Sequence, residues 1–166
     1  MEREKSWRKE GKKKIIDPTI LKDKIIFLRE EKKTIATLNG SFDLLHAGHL
    51  KIIYEASLLA DVLFILLNTD KSIKAYKGEK RPIISLEYRI QMVTALEFVD
   101  FVSWFDETTP IKILKKIKPD VHVNGEEYGE NCIEKKIVEK YGKLHLVKKD
   151  IPLSSSKIIE KIRCDL

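Results

Sequence analysis

Two histidines three residues apart, His46 and His49, end the segment Asn39-Gly40-Ser41-Phe42-Asp43-Leu44-Leu45-His46-Ala47-Gly48-His49, which joins an apolar run to an amphipathic one. At the start of a helix this spacing turns both imidazoles to the same side, so one ligand can touch both. Gly48 between them has no Cβ and lets a bulky anion approach the backbone. The free N–H groups and positive dipole of a helix start favour a phosphate there. Imidazole N–H donors added to that place can stabilise charge growing on a phosphorus centre. The chemistry that fits is phosphate handling. Two blander readings compete: a histidine near a helix start often caps or packs, and His-x-x-His can bind zinc. Zinc finds no further ligand set nearby in the sequence. A second candidate lies at Ser154, Ser155 and Ser156, where hydroxyl donors meet the free N–H groups of a last helix. A plain serine N-cap explains one of them but not three.

The elements that must position these residues follow from hydrophobic spacing. Short apolar runs at 34–38, 62–67, 99–105, 121–123 and 144–147 predict strands. Between them, 50–59, 86–96, 110–117 and 133–141 carry helical spacing, with Thr109 expected to cap the third and Ser154 or Ser155 to cap a final helix to Arg163. Asp17-Pro18 predicts a lead-in helix running to Glu31, with Ile20, Leu21, Ile25 and Leu28 on one side. Strand and helix alternating in this way predict a single α/β domain, a Rossmann-like, doubly wound parallel sheet of five strands covered on both faces. In such sheets ligands sit beyond the carboxyl ends of the strands, which is where the His46–His49 junction falls.

The 166 residues are 43% apolar and 35% charged, a globular composition that excludes a disordered, collagenous or membrane class, and their number is expected to make one compact domain and not a large multidomain enzyme. The formal charge is +6, but residues 1–14 hold seven basic and three acidic side chains, so the remainder is too weakly basic to argue for a nucleic-acid partner. Residues 1–14 have no hydrophobic period and are expected to be a mobile basic tail ahead of a domain spanning 15–166. Cys132 and Cys164 have no metal or disulfide spacing and are expected to be reduced thiols. The absence of an apolar leader or a long apolar span predicts a cytoplasmic protein that does not contact membranes. His122 and His145 lie in predicted strands and are expected to be structural.

The histidine segment resembles the signature of the nucleotidyltransferase superfamily that carries the HxGH motif. The likeness extends to Asn68-Thr69-Asp70, Lys77-Gly78-Glu79-Lys80-Arg81-Pro82, Leu86-Glu87-Tyr88-Arg89, Thr109-Pro110, Lys118-Pro119-Asp120, Asn124-Gly125-Glu126-Glu127-Tyr128 and Ser154-Ser155-Ser156-Lys157-Ile158, in order over residues 34–163. Within that superfamily the chain is most similar to the adenylyltransferase domains of bifunctional ADP-heptose synthases. Glu97-Phe98-Val99-Asp100 resembles these, where glycerol-3-phosphate cytidylyltransferases read Arg-Tyr-Val-Asp. Lys51 looks more like the cytidylyltransferases. Pro152 replaces the glycine usual before the serine motif and stiffens that loop.

The resemblance implies attack by a substrate phosphate oxygen on the α-phosphorus of a nucleoside triphosphate, with pyrophosphate leaving and no covalent enzyme intermediate. It implies catalytic roles for His46, His49, Lys77 and Arg89: the histidines at the triphosphate, Lys77 on a flexible loop that closes over phosphates, and Arg89 holding one with paired donors. Lys80 and Arg81 are substitutes for Lys77. A solvated surface role is the competing reading for each of these cations. Gly40, Ser41, Phe42 and Gly48 are expected around the nucleotide, as are Ser154, Ser155 and Ser156. Asn124, Gly125, Glu127 and Tyr128 are expected at base and ribose. No metal-binding residue is expected. Asp43 is read as organising the histidine loop, and Mg2+ as arriving on the phosphates of ATP. The expected function is transfer of AMP from ATP to a sugar 1-phosphate, heptose 1-phosphate first, by a homodimer without a nucleic-acid partner. The alternative is a CTP-dependent cytidylyltransferase of glycerol 3-phosphate or a similar alcohol phosphate. A nucleotide-sensing or RNA-binding module without turnover is a third reading, disfavoured by the presence of both histidines, Arg89 and the serine cluster.

Overall fold

The computed structural model of the protein describes residues 7–129, 131–148 and 150–164. Eight helices and five strands alternate along these residues: α1 (Trp7–Lys14), α2 (Leu21–Glu30), β1 (Ile35–Gly40), α3 (Ala47–Ser57), β2 (Val62–Asn68), α4 (Asp70–Lys77), α5 (Leu86–Thr94), β3 (Phe101–Phe105), α6 (Ile111–Ile117), β4 (Val121–Gly125), α7 (Lys135–Val138), β5 (Lys143–Val147) and α8 (Ser155–Cys164). The strands form one parallel sheet in the order β3-β2-β1-β4-β5. The predicted α/β class and five-stranded, doubly wound sheet are therefore observed.

Alternation along β2 shows how the sheet is buried on both faces. Leu63, Ile65 and Leu67 join a core with Ile53 and Ala56 of α3 and Ile90 and Val93 of α5. Val62, Phe64 and Leu66 join a second core with Leu21, Ile25 and Leu28 of α2, Ile113, Leu114 and Ile117 of α6, and Ile137 and Val138 of α7. Successive side chains point to opposite faces, so a continuous apolar run is what a doubly covered strand requires.

The sheet divides at its carboxyl edge. The β1–β4 ladder ends at Leu38 and Val123. Beyond it β1 stays with β2 as far as Gly40 and Leu67, and β4 stays with β5 as far as Gly125 and Val147. Chain order reverses direction between β1 and β4, the place where open parallel sheets form a crevice.

Several elements depart from expectation. Residues 7–14 of the expected mobile tail form α1, whose Gly11 sits so close to Thr94 of α5 that a Cβ would lie 2.8 Å from its hydroxyl. Lys14 Nζ donates to the Leu96 carbonyl at 2.7 Å, and Ile16 N–H donates to Val102 O at 2.9 Å. Residues 1–6 of that expected tail lie outside the described residues. The lead-in helix begins at Leu21, because Asp17 accepts from both the N–H and the hydroxyl of Thr19 and holds 17–20 as a turn. Thr109 is not the cap of α6. Pro110 occupies that position without a side-chain hydrogen bond. The expected flexible loop around Lys77 is instead the last turn of α4, whose Thr69 cap accepts from Ser72 N–H. Ser154 caps α8 as expected, accepting from Lys157 N–H at 3.2 Å.

Candidate functional site

A cleft of about 230 Å³ occupies the division between β1 and β4. Its floor is the carboxyl ends of the strands, Leu38, Asn39 and Gly40 on one side and Asn124, Gly125 and Val147 on the other. Asn124 Nδ2 is held by Glu134 Oε2 and Cys132 Sγ, each at 3.3 Å.

The histidine loop forms one wall. His46 is the N-cap of α3 in extended conformation, and its carbonyl accepts from the N–H groups of His49 at 2.8 Å and Leu50 at 3.1 Å. Its side chain does not cap, which leaves the ring to face the cleft beside His49. The two rings stack with centroids 3.8 Å apart and planes at 22°. A Cβ on Gly48 would meet two atoms of the His46 ring at 3.1 Å, so glycine provides the space for the pair. Phe42, buried and held at φ +46°, packs its ring 5.1 Å from that of His49. A non-glycine residue in this left-handed region is strained, a cost that the surrounding structure offsets.

Burial pushes the His49 pKa down to about 4, with His46 and Lys77 adding to the effect and the Leu44 carbonyl opposing it. The ring is therefore neutral near pH 7. Lys77 reaches in from the end of α4, with Nζ 3.1 Å from Ser41 Oγ. Burial lowers its pKa first and the Arg81 charge second, with Asp43 acting the other way. The start of α8 adjoins the histidine loop and lines the cleft with Ser154, Ser155 and Ser156, and Ser155 Oγ donates to Leu44 O at 3.2 Å, tying the serine cluster to that loop. Tyr128 and Glu127 line the rim, where a Cβ on Gly125 would collide with the Glu127 carboxylate.

All the expected site residues line this cleft except Lys80 and Arg81, the substitutes for Lys77, and Arg89. Arg89 lies outside it. Its side chain is fully buried, with Nε on Ile84 O at 3.0 Å, Nη1 on Ser41 O at 2.6 Å, and Nη2 on Asn68 O and Asp70 Oδ1 at 2.8 Å each. The expected phosphate-holding arginine instead fixes the backbone from which the histidine loop departs. Arg81 is likewise engaged, donating from Nε to Asp43 Oδ2 at 2.6 Å, and does not substitute for Lys77 at the cleft.

One wall of the cleft is made of residues that the sequence did not single out for the site. Lys51, two residues past His49, lines the cleft and pairs with Asp150 at 2.6 Å and Glu55 at 3.4 Å. The Asp150 hydrogen bond raises its pKa. Ile52, Val147, Ile151 and Leu153 make the surface around it apolar. Position 51 carried a signal as a cation following the histidines. Asp150 and Ile151 carried none, since only tertiary folding brings their loop over α3.

The cleft therefore brings imidazole, ammonium and hydroxyl groups together with apolar side chains and the Lys51–Asp150 ion pair. Donors and cations suit phosphates, and the apolar lining suits a heterocycle.

A family model described as cytidylyltransferase-like matches residues 37–165. The chain is 41% identical over 149 residues to the bifunctional protein HldE of Helicobacter pylori, covering 88% of this chain and 31% of that one. It is 38% identical over 156 residues to the bifunctional protein HldE of Citrifermentans bemidjiense, covering 93% and 32%. The chain thus spans about a third of the length of these curated relatives. Among solved structures, the lipopolysaccharide core biosynthesis protein of Thermoplasma volcanium superposes with a TM-score of 0.56 at 25% identity, covering 70% of this chain and 95% of that one. Pantoate-beta-alanine ligase of Francisella tularensis, complexed with beta-gamma ATP and beta-alanine, superposes with a TM-score of 0.60 at 16% identity, covering 90% and 76%, a likeness of fold.

Proposed function

Because this chain belongs to the cytidylyltransferase-like family, a family of nucleotidyltransferases, we propose that it transfers AMP from ATP to a sugar 1-phosphate, heptose 1-phosphate in particular. A phosphate oxygen of the sugar attacks the α-phosphorus, the bond to the β-phosphate oxygen breaks, and pyrophosphate leaves with an ADP-sugar as product. The observation that carries this reading is the stacked His46–His49 pair, which lines one cleft at the divided sheet edge with the serines that open α8. The similarity to bifunctional HldE proteins supports the choice of adenylyl group and heptose.

Catalysis on this reading is alignment of two anions plus stabilisation of charge at phosphorus. Lys77, Ser154, Ser155 and Ser156 bind and orient phosphate oxygens. His49 starts neutral, and an arriving polyphosphate raises its proton affinity. The ring then holds a proton against the oxygens as charge builds. Gly40, Ser41 and Phe42 bring backbone close to the nucleotide, and Asn124, Gly125, Glu127 and Tyr128 stand at base and ribose. Mg2+ would arrive with the nucleotide substrate, coordinated chiefly by its phosphates.

Lys51 gives the CTP and glycerol 3-phosphate reading its own support, since it lines the cleft and looks more like the residue of the cytidylyltransferases. A panel of ATP, CTP, GTP and UTP against heptose 1-phosphates and glycerol 3-phosphate, read as pyrophosphate release, separates the two. ATP with a heptose 1-phosphate is the expected best pair. Preference for CTP with glycerol 3-phosphate overturns it. His46→Ala is expected to abolish pyrophosphate release while leaving the thermal unfolding transition in place, and near-normal turnover in that variant counts against the assignment.

A further inference from the structure

Asp43 is a fully buried carboxylate in the histidine loop. Its Oδ1 accepts from the N–H groups of Ile83 at 2.8 Å and Ile84 at 2.9 Å, and its Oδ2 accepts from Arg81 Nε at 2.6 Å. A carboxylate so enclosed requires a charged partner, and Arg81, with its side chain only 14% exposed, supplies one. Between Lys77 and Arg81 the chain turns at Gly78, at φ +88°, and Arg81 N–H closes the turn on Gly78 O at 3.1 Å. On the other side of that turn Lys77 Nζ meets Ser41 Oγ at 3.1 Å, two residues before Asp43. The segment after α4 is therefore joined to the histidine loop outside the cleft, by a short buried ion pair and two backbone N–H groups on Asp43, and inside it by Lys77. Gly78 itself has nothing within 4 Å of where a Cβ would stand, and its N–H donates to Lys74 O at 2.9 Å, so backbone hydrogen bonds hold this point of the turn.

We propose that Arg81 is a positioning residue for Lys77: its pairing with Asp43 clamps the turn after α4 to the histidine loop and so keeps the Lys77 ammonium at the phosphate end of the cleft. This rests on the reading of Lys77 as a phosphate-binding lysine. Arg81 touches no substrate, and on this proposal its effect on turnover is carried by Lys77, whereas the loss of its pairing with the buried Asp43 is a cost in stability. The loss of turnover is therefore expected only while Lys77 is present.

The test is a double-variant cycle on Arg81→Gln and Lys77→Gln, with pyrophosphate release measured for the best nucleotide and acceptor pair. Arg81→Gln is expected to lower kcat roughly ten- to hundredfold with a smaller change in the KM for the acceptor, in the range usual for lost positioning. In the Lys77→Gln background the same change is expected to cost less than about twofold. Arg81→Lys, which keeps the charge but not the paired donors, should recover part of kcat and provides the cycle if Arg81→Gln does not fold. Losses that multiply across the two variants, or an Arg81→Gln enzyme with unchanged kcat, overturn the clamp. If no acceptor in the panel turns over, the proposed function fails. The clamp is then decided by the same cycle read in the dissociation constant for Mg-ATP.

Discussion

Gly48 shows how a single missing atom can matter more to activity than to folding. A Cβ there would press on the His46 ring at 3.1 Å, and the next nearest atom, the Leu153 carbonyl oxygen, lies at an ordinary 3.7 Å. Alanine is preferred to glycine inside a helix by up to about 1 kcal/mol. Gly48→Ala should therefore leave stability equal or slightly raised while displacing one imidazole, lowering turnover at least roughly tenfold, since small misplacements of aligned groups are costly. Urea unfolding alongside pyrophosphate release checks the pair of outcomes, and unchanged turnover would mean that His46 tolerates the crowding. The histidines and Gly48 were legible in the sequence because their roles depend on spacing along one helix start. Arg89 was legible only as a residue type. Its acceptors come from positions 41, 68, 70 and 84, and no local pattern reveals that these converge on one guanidinium. Lys51 and Asp150 illustrate the same limit, as a contact 99 positions apart carries no local signature.

At the scale of elements, the strands were legible in their apolar interiors and ran short at their carboxyl ends. β1 continues through Asn39 and Gly40, β2 through Asn68, and β4 through Asn124 and Gly125. Apolar patterning stops there because side chains at that edge meet a cleft or hydrogen-bond instead of packing in the core. Helix α4 escaped detection because eight residues with Ile73 as the buried apolar anchor give too little period to read. Helix α1 escaped because its lysine-rich sequence has no apolar stripe, and its docking uses Gly11 and the stem and ammonium of Lys14. Asp120 makes a contrasting prediction, about joints between elements far from the cleft. Its Oδ2 accepts from Arg29 Nη1 of α2 and from the Ile35 N–H that opens β1, each at 2.6 Å. Arg29 also donates to Lys118 O at 2.7 Å. Asp120→Ala should cost about 1–3 kcal/mol, the usual consequence of leaving such donors unmatched. Specific activity of the folded fraction should be unchanged. A loss of activity at full folding would mean that this end of the sheet communicates with the cleft.

For the whole molecule, strand order is what local patterning could not supply, yet it decides where the cleft lies. The alternation of strand and helix predicts a parallel sheet, and only the pairing of β1 with both β2 and β4 places the division beside the histidine loop. That central location also buries imidazoles, with a consequence for stability against acid. His122, fully buried in β4 with Nδ1 2.7 Å from Thr37 Oγ1, has its pKa lowered to about 3 by burial, and His49 to about 4. An unfolded histidine titrates near 6.5. Between that value and the folded ones the unfolded chain binds protons that the folded chain does not, so stability falls as pH falls. The lowered carboxylates Asp17, Asp61, Glu107 and Asp150 contribute their stability fully above the unfolded carboxylate range and lose it only below about pH 4. The interval from pH 6.5 to 5 therefore reports on histidine, and His122 alone should remove roughly 2 kcal/mol across it. Urea midpoints at pH 7.5, 6.5, 5.5 and 5 measure the slope. His122→Asn, which keeps a polar partner for Thr37, should start less stable at pH 7.5 and fall less steeply. A wild-type midpoint constant across this interval would show that the buried rings accept protons in place, and with that the neutral His49 of the proposed mechanism would have to be abandoned.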